Sequence, residues 1–509
     1  MNIIFKRWFA QGKSRIERRL DKKKLTMGFQ PQLAATNIDY EVSAKGGGIN
    51  CGGIGAIHLL ARRYGLIVDI NQHLHLLKLK MPYHESDHVL NFAYNALCNG
   101  TCLQDIELLR NNENYLNALE ARSIPDPTTA GDFCRRFHAS DVEALINAIN
   151  SARRRVWAEQ PKDFFDCAFI DMDGTMAATT GSCKRGMDIS YNGTWGYHPL
   201  IVSLANTGEV LSIINRSGNR PSHEGAAREV DRSILLCLEA GFRKLVLRGD
   251  TDFSQSEQLD GWNLFPRVRF IFGFDAMPNL VDIADHLPET AWRRLERPPH
   301  YQVKTKPRRR PDNVKERIVK EREFDTLRLK SEEVAEFEYQ PGACKKTYRM
   351  VVIRKNITHE KGEQALFDEI RYFFYITNER EWPANLIVFS ANDRCNQENL
   401  IAQLKGSVGA LQAPVNTLES NWAYMVMTAL AWNLKAWWAL TLPDAPGRWQ
   451  ERHRAQKLWV LKLEFRTFLN AFMLLPCQII QSGRKLIYRL LSWSPHLDIF
   501  FRLINKLKC

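Results

Sequence analysis

The chain has 509 residues, with 70 Lys and Arg against 57 Asp and Glu and a formal net charge of +13. Hydrophobic residues make up 45% and charged residues 25%, an ordinary globular balance that excludes a disordered, collagen-like or disulfide-scaffold chain. At ~100–200 residues per domain, the length implies about three domains. The eleven Cys are scattered and odd in number, with no CxxC pair, so they read as reduced thiols. Cys98 and Cys102 are four apart, as are Cys134 and His138, but no second half at zinc spacing accompanies them.

The charge is clustered. Residues 1–30 hold nine Lys/Arg against two acids, residues 301–330 eleven against five, and residues 451–509 eleven against three. The rest of the chain is mildly acidic. Solvated tails and loops explain any one such patch. Three on one chain form the electrostatic footprint of a polyanion partner, most often nucleic acid. The N-terminal segment lacks the ~7–15-residue apolar run of a signal peptide, so a cytoplasmic protein is expected.

The Gly-rich stretch 43–55 lacks the Lys-Ser or Lys-Thr of a phosphate loop. It is expected to be a flexible lead-in to a helix from about Ala56. Helical periodicity then runs to about Glu159, with a loop at Pro125, Pro127 and Thr128. From Asp163 the pattern changes. FFDCAFIDMDGT is an apolar strand ending in acids, and YHPLIVSLA and EVLSIINRS are two more strands joined at Asn206-Thr207-Gly208. EGAAREVDRSILLCLEAG predicts a helix closed by Gly241. RKLVLRGDTDF is a fourth strand with acids at its end, and RFIFGFD a fifth.

Short links make the first three strands an antiparallel meander, and the helical crossover lets the fourth lie parallel beside the first. That places Asp171 and Asp173 next to Asp250 and Asp252. Residues 276–386 interrupt this pattern with the basic KTKPRRR stretch (Lys304, Lys306, Arg308, Arg309, Arg310) and two strand-rich runs. A helical C-terminal part follows, whose Trp422, Trp432, Trp437 and Trp438 read as helix core. Thr467–Ile480, broken by Asn470, Pro476 and Gln478, is too short for a span of ~20 apolar residues and predicts a core helix.

Asp171 and Asp173 are two apart on a strand and share a face. Paired carboxylates at a strand end suit hard divalent cations. Glu398 supplies a third acid. On a helix, Arg394, Glu398, Ile401 and Lys405 form one stripe, a carboxylate with a cation on either side.

Taken together, IDMDGT, YNGTWGYHPLIVSLANTGEVL, GNRPSHEGA, LVLRGDTDF and RCNQENLIAQLK resemble the DDE transposases of bacterial insertion sequences. The resemblance is to the group with a β-rich insertion before the catalytic Glu, and it covers about residues 40–440. It implies an α/β fold with an RNase H-like catalytic core, a mixed sheet of strand order 3-2-1-4-5, flanked by helical N- and C-terminal regions. The divisions expected are a basic tail and helical DNA-binding region at 1–160, core at 161–275, insertion at 276–386, core again at 387–445, and a basic helical region at 446–509.

The resemblance assigns Asp173, Asp250 and Glu398 as catalytic, metal-holding acids, with Asp171 and Asp252 as competitors for the first two roles. The family signature Tyr-x2-Arg-x3-Glu-x6-Lys is met at Arg394, Glu398 and Lys405, but Ala391 stands at the Tyr position, which puts that residue's phosphate contact in doubt. It implies two Mg²⁺ ions, with Mn²⁺ as a substitute, and cleavage and joining of DNA strands. Arg394, Lys405 and the KTKPRRR cations would hold DNA phosphates. Trp382, in the insertion, is a candidate to stack on a flipped base. Implied partners are double-stranded DNA, as terminal inverted repeats and target, and a second subunit in a homodimer on the DNA ends. The expected setting is bacterial, cytoplasmic and nucleoid-associated.

Two other readings stay open. FIDMDGTM also resembles the first motif of haloacid-dehalogenase-type phosphatases, with Asp171 as nucleophile and Asp173 as acid/base. That fold expects a βα crossover after the motif rather than a meander, and leaves RCNQENLIAQLK unexplained. A DNA-binding protein of transposase descent without catalysis is the second. All three acids are present, so nothing in the sequence signals inactivation.

Overall fold

The structure is a computed structural model describing residues 10–18, 47–78, 80, 82–181, 183–297, 314–362, 364–444 and 447–508. Helices α1 (Ile54–Arg63), α2 (Leu66–His73), α3 (Glu85–Leu97) and α4 (Ala139–Ala158) form the N-terminal region. There follow β1 (Ala168–Gly174), β2 (Leu200–Leu204), β3 (Glu209–Ile214), α5 (Ala226–Ala240), β4 (Leu245–Gly249) and β5 (Val268–Phe274). The insertion supplies β6 (Arg293–Arg294) and three long strands, β7 (Asp325–Tyr339), β8 (Tyr348–Lys361) and β9 (Gln364–Thr377). The chain continues with α6 (Ala384–Asp393), α7 (Cys395–Lys405), α8 (Leu418–Leu440), β10 (Cys477–Ser482), β11 (Lys485–Leu490) and α9 (Leu497–Lys508).

One sheet of nine strands, in the order β6-β7-β8-β9-β5-β4-β1-β2-β3, organises the described residues. β1 pairs antiparallel with β2 and parallel with β4, and β4 pairs parallel with β5. The insertion is not a separate sheet. β9 pairs antiparallel with β5 at Phe374–Thr377, so the β7-β8-β9 meander prolongs the sheet that carries the acids. Period-two sequence explains the placement of side chains on β1: Ile170 and Met172 are buried on one face, and Asp171 and Asp173 project from the other.

Helix α8 is the core of the molecule. It is rich in Trp, Ala, Leu and Met, and every residue from Ser420 to Leu440 is buried. It packs against α1, α3, α4 and β3, so the N- and C-terminal regions share one interior. The four Trp expected as core are buried. The indoles of Trp422 and Trp432 donate to the carbonyls of Ile213 and Gly208. Asn433 completes the edge of β3, accepting from the Val210 amide at 2.8 Å and donating to its carbonyl at 3.0 Å. Beside it Glu209 is fully buried and accepts from Arg153 (3.0 Å), Trp157 (2.9 Å), Trp437 (2.7 Å) and Thr207 (2.7 Å).

Three expectations need correction. Gly52 and Gly53 are not a flexible lead-in: their amides donate to the carbonyls of Leu475 and Met473 at 2.9 and 3.1 Å. A Cβ on Gly53 would lie 2.1 Å from the Phe472 carbonyl oxygen, so only glycine permits this backbone-on-backbone docking. Thr467–Ile480 is not one helix. Helical structure ends at Met473, before Pro476, and β10 begins at Cys477. The C-terminal region is accordingly not wholly helical: β10 and β11 form a hairpin, with Gly48–Ile49 as its third strand.

Among the described residues no helix is long and apolar enough to cross a membrane. Glu209 is expected to be indispensable. Glu209→Leu strands the buried Arg153 charge and should cost about 3–5 kcal/mol in urea unfolding.

Candidate active site

Asp171 and Arg248 form a buried ion pair behind the site. The guanidinium Nε and Nη2 donate to the two carboxylate oxygens at 2.6 and 2.8 Å, and Nη1 donates to the Ser390 carbonyl on α6 at 2.9 Å. Burial pushes the Asp171 carboxyl up and Arg248 pulls it down. A carboxylate so enclosed, 1% exposed, is not free to attack a substrate, which removes the phosphatase assignment of Asp171 as nucleophile. Both oxygens of Asp171, the competitor of Asp173 for the first role, are thus engaged by Arg248.

Asp173 and Asp250 lie two residues further along their strands. Asp173 ends β1 with 17% of its side chain exposed, and Asp250 follows β4 with 37%. Arg394, at the junction of α6 and α7, spans them: Nη1 is 3.5 Å from Asp173 Oδ2, and Nη2 is 3.9 Å from Asp250 Oδ2. Nη1 is buried without a hydrogen-bond partner. Burial pushes the Asp173 carboxyl up to about 6, against the pull of Arg394 and with a further push from Asp250 and Glu398. Asp250 is raised by burial too, Arg394 opposing and Asp252 adding. Asp252 itself is exposed, and its amide donates to Asp250 Oδ1 at 3.1 Å, so the Asp250 carboxylate caps the turn that follows β4.

Glu398 lies in the first turn of α7, exposed, and acts on Asp173 through charge. Lys405 is lowered by burial and raised by Asp173. The structure thus brings Asp173, Asp250 and Arg394 into contact range, with Glu398 and Lys405 around them. Among the described residues no three acid, His or Cys side chains stand close enough to be a ready-made ion cage. Lys304, Lys306, Arg308, Arg309 and Arg310 lie outside the described residues. Trp382 sits at the other end of β1, 6.3 Å from the Phe169 ring and with Lys244 Nζ 4.7 Å over its face, an arrangement that occupies it away from Asp173.

Several neighbours were not visible in the motif. Gln397 is buried and ties α7 to β2, accepting from Ser203 and donating to the Ile201 carbonyl at 3.1 Å. His198 Nδ1 binds the Arg220 carbonyl at 2.8 Å, and its Nε2 closes on Gly174, where a Cβ would meet it at 3.0 Å. Arg216 donates to the carbonyls of Pro221, Ser222 and Glu224 and holds the GNRPSHEG loop. Gln397 and His198 lie inside the quoted motifs, and Arg216 falls between two of them, at the end of the EVLSIINRS strand run.

Two carboxylates at the adjacent ends of parallel strands, with a guanidinium between them and a third acid on the covering helix, gather hard oxygen donors of the kind divalent cations prefer. Residues 34–509 match the family described as transposase DDE domain, group 1, and the chain belongs to it. No curated protein matches. Among solved structures, a cryo-EM structure of the piggyBac transposase synaptic complex with hairpin DNA is similar at a TM-score of 0.37 and 10% identity, over 84% of this chain and 85% of that one.

Two outcomes are expected from this geometry. Arg248→Met leaves Asp171 buried and unpaired and should cost about 3–5 kcal/mol in urea unfolding, while the double variant Asp171→Leu, Arg248→Met recovers most of it. Asp173 keeps its proton to about pH 6 in the folded chain, above its ordinary value. The folded state therefore binds the extra proton, and stability falls as pH rises from about 4 to 6. In EDTA, Asp173→Asn should be the more stable protein at pH 7 by about 2 kcal/mol, with the difference gone near pH 3.5.

Proposed function

We propose that this transposase cuts double-stranded DNA at the terminal inverted repeats of an insertion sequence and joins the freed ends into target DNA. In this reading Asp173, Asp250 and Glu398 are the catalytic acids of an RNase H-like core. The observation that carries it is Arg394 spanning Asp173 and Asp250 at the ends of two adjacent parallel strands. The strand order β3-β2-β1-β4-β5, which is 3-2-1-4-5 in chain order, supports the RNase H-like assignment. The domain divisions at 160, 275, 386 and 445 belong to the same proposal.

The residues fit divalent ions. The donors are hard carboxylate oxygens, and a half-buried cluster of acids held only by one guanidinium favours added positive charge. Asp173, Asp250 and Glu398 would hold two Mg²⁺, or Mn²⁺ in substitution, which when bound stabilise charge on the attacking and leaving oxygens of a phosphodiester. The chain's own residues do the positioning. The Asp171–Arg248 pair fixes β1 against β4, so the two acids cannot drift apart. Gln397 holds α7 on β2 and keeps Glu398 over the strand ends. Arg394 offers a planar fork to a phosphate and Lys405 a point charge. The basic segments at the N-terminus, in the insertion and at the C-terminus would hold the duplex backbone. A homodimer on paired DNA ends and a nucleoid setting in a bacterial cytoplasm complete the reading.

The test is cleavage of the gene's own flanking DNA by purified protein with Mg²⁺. Paired cuts at inverted repeats are expected, lost in Asp173→Asn, Asp250→Asn and Glu398→Gln while end binding persists. Undiminished cutting by Glu398→Gln would remove it from the site. Binding should weaken steeply between 50 and 200 mM salt, since each phosphate contact releases counterions; a flat response would refute the backbone contacts.

A further inference from the structure

The catalytic face of the sheet carries one more functional group. Asp173 on β1, Asp250 after β4, Gly273 on β5 and Tyr375 on β9 stand in one row across four adjacent strands. Asp171 pairs with Arg248 two residues before the acids, and Gly273 is the register partner of Tyr375. The row lies on one face: Val246, Ile271, Val351 and Ile353 of that face share a single apolar cluster with Ile387 and Val388 of α6. Gly273 cannot carry a side chain, because a Cβ there would lie 2.9 Å from the Thr251 amide nitrogen and 3.1 Å from the Asp250 carbonyl carbon. Gly273 therefore adds no side chain to the row: the Asp250–Thr251 backbone packs directly over it, one strand from Tyr375.

Tyr375 differs from the other tyrosines of these strands. Tyr348 and Tyr372 donate to Asp260 and Asp285 at 2.5 and 2.6 Å, and Tyr339 accepts from Asn279 at 3.3 Å. The hydroxyl of half-buried Tyr375 has no hydrogen-bond partner among the described residues. The cations that act on it are Arg297 and Arg394. Arg297 spends Nε and Nη2 on Glu332, at 2.6 and 2.9 Å. Ala391 on α6 packs against the same apolar cluster as Tyr375. A neutral donor with an unspent hydroxyl, in the row of the acids and in the field of two guanidinium groups, has the chemistry of an anion contact.

We infer that Tyr375 is a phosphate-positioning residue: its hydroxyl donates to a backbone phosphate of the DNA strand next to Asp250, with Arg394 and Arg297 balancing the charge. The inference rests on the reading of the chain as a DNA-cutting enzyme. It assigns the insertion a direct part in the site, through the last turn-proximal residues of β9.

The experiment compares full-length protein with Tyr375→Phe, which keeps the ring and its packing. The probes are duplexes of the gene's own flanking ends, unmodified or with one phosphate at a time replaced by a neutral methylphosphonate. Cleavage with Mg²⁺ and binding without it are both read. A lost hydrogen bond to a charged group should slow Tyr375→Phe by ~10–100-fold. One methylphosphonate should slow the parent by a similar factor and leave Tyr375→Phe no slower than before, a non-additivity that a purely structural tyrosine would not produce. Equal cleavage by the two proteins, or methylphosphonate effects that multiply with the substitution at every position, would overturn the inference. A parent protein that cuts none of these duplexes overturns the proposed function instead, and the coupling between Tyr375 and a single phosphate is then decided in the binding data.

Discussion

The ion pair between Asp171 and Arg248 is the constraint on which the site depends. It joins β1 to β4 across 77 residues of sequence and reaches α6 through the Ser390 carbonyl. Each member precedes a site residue by a fixed step: Asp171 by two to Asp173, Arg248 by two to Asp250, Ser390 by four to Arg394. One buried contact thus sets the relative height of three elements. Its desolvation cost is large, and an apolar replacement of both partners would be as stable or more so. Its effect is on geometry rather than stability, because an apolar trio could slide by a fraction of a turn where a bidentate fork cannot.

A second buried hub performs the same service for the scaffold. Glu209 satisfies four donors from α4, α8 and its own hairpin, and Asn433 closes the ladder of β3 against α8. The outer edge of the sheet is covered and hydrogen-bonded instead of open, which protects it from pairing with other chains. The helical regions at both ends of the sequence are built around this edge, with α8 between them.

The strands and their acids were legible because each apolar run of β1, β4 and β5 ends in a polar residue, and the hairpin turn at Asn206-Thr207-Gly208 carries its own signal. The family resemblance pointed to Asp173, Asp250 and Arg394, and the fold brings these three side chains within reach of one another. What could not be read was pairing at a distance. Nothing local distinguishes Asp171, which is locked to Arg248, from Asp173, which faces Arg394; both sit in the same DMD triplet. Gly52 and Gly53 looked like a flexible stretch because glycine permits both freedom and close approach, and only the docked segment at 473–477 decides which. The insertion read as an interruption because strand periodicity says nothing about which sheet a strand joins.

That joining has a mechanical consequence. β7, β8 and β9 are 15, 14 and 14 residues long. At ~3.3 Å per residue the longest spans about 50 Å. Only the last four residues of β9 bond to β5, so the remainder is a cantilever clamped by backbone hydrogen bonds one strand away from Asp250. A load on its free end is borne as torque at the clamp, after passing the bulges at Leu329–Ser331 and His359–Glu360. Whatever the tip grips, a bend or pull on it is delivered to the acids as a change of strand angle, and the arm serves as a lever as much as a surface.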